Sequence, residues 1–456
     1  MIGSINLFKL FLITFLFIFI LGSSKLTLGK DLSVEFKNDE SKIERYSSGS
    51  SKSQSLAKSY LKSKKWKNGL NKREKGDFFL SIGTAGIKSN NSIDDFADDR
   101  QDAFDIALLQ AKKSFIKFLG QQISIQIASE RKRGKYANPL PKNKNEIEKF
   151  LNELDTFPEG EKVRILINLE LDKVLKDAGY ENPTTPEAIE EAQKIIKKKS
   201  FNKTIKVSAE HRLAGFQTFR VFENSDGEKG SITVIGIWSE KLNKLADALV
   251  TGGDTPINTP KKPLEDQVPL DEEEEKWLFN FGASMTTDEN GALSIISYGH
   301  ASPLMDEVDE WTDACDKAIL QAESFIAIFA NENARYKENL NKSTDTSIFE
   351  KESKVAEMKI EKKSVKSYYK KLESVAIIKT EGIVPIGWPQ QITHPSGALE
   401  CIAAVGWSTD LRQSGQDMKK TQKKAEKITN QIIENESEDS SGTAYEGEGD
   451  EASEDF

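Results

Sequence analysis

Three histidines, two cysteines and several dense charge runs are the residues of this chain with the means to do chemistry. His211, His300 and His394 show no H-x-x-x-H or H-E-x-x-H spacing, the pattern that sets two zinc ligands on one helix face. They make a metal or hydrolytic site only if the fold brings them together with carboxylates; otherwise they are ordinary surface or turn histidines. Cys315 and Cys401 are the only cysteines. In an oxidising compartment they could pair, and each is equally suited to be a core thiol. The run "DDFADDRQD", Asp94 to Asp102, is acidic enough to attract Ca²⁺. It lacks the glycine and closing glutamate of an EF-hand loop and better suits a solvated helix N-terminus. "GTAGIK", Gly83 to Lys88, has the wrong spacing for a phosphate-binding loop: two residues, not four, separate its glycines, and Ile87 stands between Gly86 and the lysine. Small residues at a strand end explain it. Neither a G-x-S-x-G elbow nor a dinucleotide fingerprint occurs. The expectation is no catalytic residue, no cofactor and no metal.

Binding residues are easier to nominate. "KSKKWKNGLNKREK" gathers Lys64, Lys65 and Lys67 around Trp66. Such a segment can settle on an anionic membrane or on a protein partner; its bland reading is a solvated linker. Phe216 and Trp388 each follow a glycine and are the aromatic contact candidates, although Phe216, Phe219, Trp238, Trp388 and Trp407 all suit a hairpin core. A formal net charge of −9 argues against nucleic acid as the partner.

The elements that must position these residues come in two copies. "DAFDIALLQA", Asp102 to Ala111, recurs as "DACDKAILQA", Asp313 to Ala322. Upstream, "SIGTA" resembles "SYGHA"; downstream, "GSITVIGIWS" resembles "LECIAAVGWS", and Gly215–Phe216 parallels Gly387–Trp388. Four matches in one order predict a tandem duplication. Phe104, Leu108, Ala111, Phe115 and Phe118, and equally Cys315, Ile319, Ala322, Ile326 and Phe329, fall on one helix face. Ala103, Ala107, Ala314 and Ala318 keep each helix slim enough to lie close on a sheet. Each unit reads as strand, acidic loop, helix, charged helical insert and hairpin. The fold class is α+β: two duplicated helix-on-small-sheet domains with projecting charged inserts and disordered tails.

Around these units the organisation is as follows. Lys9 and the apolar run Leu10 to Leu21 read as a secretory signal within residues 1–29, with an uncleaved anchor as the rival. Residues 30–76 are a flexible, basic segment, in part helical. The first repeat spans 77–250, a Pro-rich acidic linker 251–276, and the second repeat 277–410. Residues 411–433 suit an amphipathic helix and 434–456 an acidic disordered tail.

The strand ending in G-x-A, the Ala-spaced helix and the hairpin with a Gly-aromatic pair closing on V-G-x-W resemble two groups of bacterial cell-envelope domains. These are the lipoprotein-twenty-like group and the N-terminal domain of the flagellar assembly protein T. The resemblance covers the two repeats and implies an exported, non-catalytic protein of the periplasm or envelope. The chain departs from the lipoproteins in having no lipidation cysteine after its apolar run. The expected function is a binding or scaffolding module for protein partners of the envelope, with peripheral membrane contact through the basic segment. The alternatives are a metal-dependent hydrolase using the three histidines and a self-assembling structural component. The partner and the oligomeric state are left open.

Overall fold

The computed structural model describes residues 50–74, 76–88, 94–133, 159–198, 213–225, 229–251, 258–331 and 382–413, with a few isolated positions between. The chain divides into Met1–Glu44 and Arg45–Phe456, and every described element belongs to the second unit. The expected signal segment, residue His211, most of the second insert and the acidic tail lie outside the described residues.

The first half contains α1 (Ser50–Ser63), β1 (Gly69–Asn71), β2 (Phe78–Lys88), α2 (Asp94–Lys132), α3 (Glu159–Asp177), α4 (Pro186–Lys197), β3 (Gln217–Ser225), β4 (Lys229–Ser239) and α5 (Glu240–Thr251). The second contains α6 (Glu274–Phe279), β5 (Gly282–Thr287), β6 (Leu293–Ala301), α7 (Val308–Asn331), β7 (Ile383–Pro385), β8 (Gln390–Thr393) and β9 (Leu399–Trp407). Two antiparallel sheets result, with orders β1-β2-β4-β3 and β5-β6-β9-β7, β8 extending the last edge by pairing β9. The protein is α+β, as its sequence predicts.

The halves match residue by residue. Ser81 pairs Gly236 and Leu80 pairs Ile237 in the first sheet; Ser297 pairs Val405 and Ile296 pairs Gly406 in the second. These are the same positions of the repeated segments. In each half a glycine lets the helix touch the strand. A Cβ on Gly83 would lie 1.9 Å from Ala107 O, and one on Gly299 would lie 2.0 Å from Ala318 O. Beside each contact the helix glutamine reaches back to the strand: Gln110 Oε1 accepts from Thr84 N at 3.1 Å, and Gln321 Oε1 from His300 N at 2.6 Å.

Several boundaries differ from expectation. Among the described residues, regular structure is present from Ser50, before the first repeat expected to begin at Asp77. Helix α1 lies on the outer face of the first sheet and buries Ser53, Ala57 and Leu61, at spacings of four. Ser53 Oγ hydrogen-bonds Ser231 Oγ (2.7 Å) and Thr233 Oγ1 (2.9 Å), and Thr233 in turn meets Thr84 Oγ1 at 2.9 Å. A hydroxyl ladder thus satisfies a face that apolar residues only partly cover. The stretch 251–276, expected as a linker, packs in part on the outer face of the second sheet. Leu264 joins Trp277 and Leu278 against Ile296, Tyr298, Ile386 and Ile402. The "acidic loops" belong largely to helices, since α2 begins at Asp94 and α7 at Val308.

The described part of the first insert does not project. Helices α3 and α4 bury Ile167, Leu171, Leu175, Ala192 and Ile195 in the main core. Arg131 near the end of α2 donates to Asn168 and to Asp172 (2.7 Å), all three buried. Thr185 caps α4 by accepting from Ala188 N, and Pro186 occupies its first turn. The first strand of the hairpin starts at Gln217, and Phe201, Ile205 and Ala209 before it are helical and buried at spacings of four.

Candidate functional site

The densest group of ionisable residues lies inside the protein, where the two halves meet. Arg100, on the second turn of α2, is its centre. Its Nε donates to Glu223 Oε2 on β3 (2.7 Å), one terminal nitrogen to Glu400 Oε2 on β9 (2.9 Å), and the other to the Leu278 carbonyl (2.5 Å). The guanidinium also lies 4.6 Å from the centre of the Phe281 ring, whose opposite partner is Phe104, stacked at 4.8 Å.

Both described histidines complete this group. His300 presents Nε2 to the Asn280 carbonyl (2.7 Å) and Nδ1 to Glu400 Oε2 (3.1 Å), and stacks on Phe281 at 3.9 Å. One Arg100 terminal nitrogen also lies 3.5 Å from His300 Nδ1. His394, at the β8–β9 turn, accepts the Ser396 N–H at Nδ1 (3.1 Å). Its Nε2 therefore carries the proton and faces Glu223 Oε1 at 3.4 Å.

Burial alone would push both carboxyl groups up. The Arg100 guanidinium, aided by His394, instead holds Glu223 down at about 2. Arg100 and His300 hold Glu400 below the usual carboxylate range against the same desolvation. Arg100 loses hydration as well, yet the two carboxylates raise it above its ordinary value. None of the five side chains is more than 3% exposed. Their chemistry is directed at one another: the group joins α2 and β3 of the first half to β6, β9 and the β8–β9 turn of the second. Among the described residues no group of three or more His, Cys, Asp and Glu stands in a metal-binding arrangement.

Cys315 on α7 and Cys401 on β9 form a disulfide. Of the two readings left open for them, pairing is the one realised, and Cys401 is a core position too.

The nominated contact residues separate into three kinds. Phe216 is buried, with its ring against Phe115 (5.6 Å) and over Gly236, so it presents nothing to a partner. Its pairing with Trp388 is also corrected. Gly215–Phe216 precede β3, whereas Gly387–Trp388 interrupt the equivalent edge strand between β7 and β8. The two glycines share only a positive φ, 82° and 72°. Trp388 is 85% exposed, the most exposed large apolar side chain among the described residues. Gln390 Nε2 donates both to Trp388 O and to Asp271 Oδ1, each at 3.0 Å. Leu270, which precedes Asp271, is 61% exposed. Trp66 is half-buried and closes a small aromatic cluster, edge-on to Phe78 (5.4 Å) and Phe219 (5.6 Å), with Arg73 over its ring. Lys64, Lys65 and Lys67 around it are exposed.

Residues 160–251 match a family described as a domain of unknown function (DUF6844). The match takes in nearly all of α3, then α4, the β3–β4 hairpin and α5. No curated protein matches the chain. The crystal structure of hypothetical protein FTT1539c from Francisella tularensis is similar over 83% of this chain and 94% of that one, at 14% identity and a TM-score of 0.43.

Proposed function

We propose that the protein is a non-catalytic, exported binding or scaffolding module of the cell envelope, with Trp388 anchoring a protein partner. The observation that carries this reading is the 85% exposure of Trp388 in the break between β7 and β8. A tryptophan held out of a core that buries Trp277 and Trp407 costs solvation without a folding return, and tryptophan is the residue that most often anchors protein interfaces. Export is supported by the Lys9-led apolar run and by the Cys315–Cys401 disulfide, which suits an oxidising compartment. No helix among the described residues is long and apolar enough to cross a membrane.

The test places a photocrosslinking amino acid at position 388 in cells, with position 173 on α3, also exposed, as control. A discrete adduct at 388 in the envelope fraction, absent at 173, is expected. Equal labelling at both positions, or recovery of the protein only in the cytosol, overturns the reading.

A further inference from the structure

One face of the first half segregates positive charge in a chain that is negative overall. Between Ser50 and Arg73 there are eight lysines and arginines and no aspartate or glutamate, against a net charge of −9 for the chain. The fold exposes every one of these cations. Helix α1 turns Ser53, Ala57 and Leu61 to the sheet, which leaves Lys58 and Lys62 pointing away from it. Lys64, Lys65 and Lys67 follow in a tight turn where Lys65 takes a positive φ of 56°. A separate element adds to the same surface: Arg220 of β3 lies over the Tyr60 ring at 4.5 Å. Leu56, 45% exposed on α1, gives the basic face an apolar point.

We infer that this face binds an anionic phospholipid surface, an inference that rests on the envelope reading above. Juxtaposed lysines attract acidic headgroups by summed electrostatics and need no pocket. Nucleic acid fits less well. Its single strands are held by aromatic platforms, and Tyr60 and Trp66 are already engaged with Phe219, Phe222 and Phe78.

The test uses residues 45–456, a compact unit by itself, in flotation with phosphatidylcholine vesicles with and without phosphatidylglycerol. Binding only to the anionic vesicles, and its loss at high salt, are expected. Each of Lys58→Glu, Lys62→Glu and Lys64→Glu lowers partitioning at least about fivefold. Lys173→Glu leaves it unchanged, and circular dichroism confirms that all variants fold. Equal binding to neutral vesicles, tighter binding to an oligonucleotide than to vesicles, or no binding until residues 434–456 are removed each overturns the proposal. The last result assigns the face to the chain's own acidic segment. A negative result with the position-388 adduct intact leaves the scaffold reading standing.

Discussion

A guanidinium enclosed by protein has lost its water, and only its partners compensate. Arg100 has two carboxylates, a carbonyl and an aromatic face. Arg100→Met removes the attraction but leaves Glu223 and Glu400 buried. Breaking such a pair costs about 3–5 kcal/mol, most of it from the stranded charges. Urea unfolding should show a loss of that order, and adding Glu223→Gln and Glu400→Gln should recover part of it. A triple variant no more stable than the single one would place the cost in lost volume instead. None of this was legible from the residues around Arg100. It sits among Asp94, Asp95, Asp98, Asp99 and Asp102, a setting that reads as a solvated helix start. Its partners are 123 and 300 positions away. His300 and His394 were singled out, but their convergence depends on the halves docking, which no local spacing encodes.

The unit that repeats is a strand touching a helix through a single missing Cβ. Gly83→Ala and Gly299→Ala each drive a methyl into a helix carbonyl, and the neighbours that must yield are backbone. Each should destabilise by about 1–3 kcal/mol or more. Gly253→Ala, whose new Cβ meets only a side chain at 3.4 Å, should be close to neutral; thermal melts of the three compare them directly. Here the sequence was informative. The stripe Phe104, Leu108, Ala111, Phe115 is buried as its spacing predicts, and so are Ala322, Ile326 and Phe329. That residues 30–76 are in part helical was read from the sequence, but the packing of α1 on the sheet was not, because a hydroxyl and an alanine stand beside Leu61 on its buried face. The Gly-aromatic pair misled because Gly215–Phe216 precede β3, whereas Gly387–Trp388 fall between β7 and β8.

At the scale of the molecule, the halves meet along sheet edges as well as through charge. Ser284 Oγ of β5 donates to Thr218 O of β3, and Gln217 Oε1 accepts from Met285 N. Acid should loosen this joint. Glu223 has its pKa depressed from 4.5 to about 2 on folding. Its contribution is therefore complete above about pH 4.5 and is lost as pH falls toward 2, about 3 kcal/mol in all. Glu400, also lowered, acts in the same direction. Melting temperatures should fall across that window, and Glu223→Gln should flatten much of the fall; an unchanged slope in the variant would assign the acid sensitivity elsewhere. The disulfide has a different consequence. It ties α7 to β9 across a separation of 86 residues, and the whole second insert lies within that span. A protease that cuts anywhere inside the span leaves two polypeptides that cannot diffuse apart until a reductant reaches Cys401, itself in the interior. The insert can thus be clipped or replaced without the last strand being lost from its sheet.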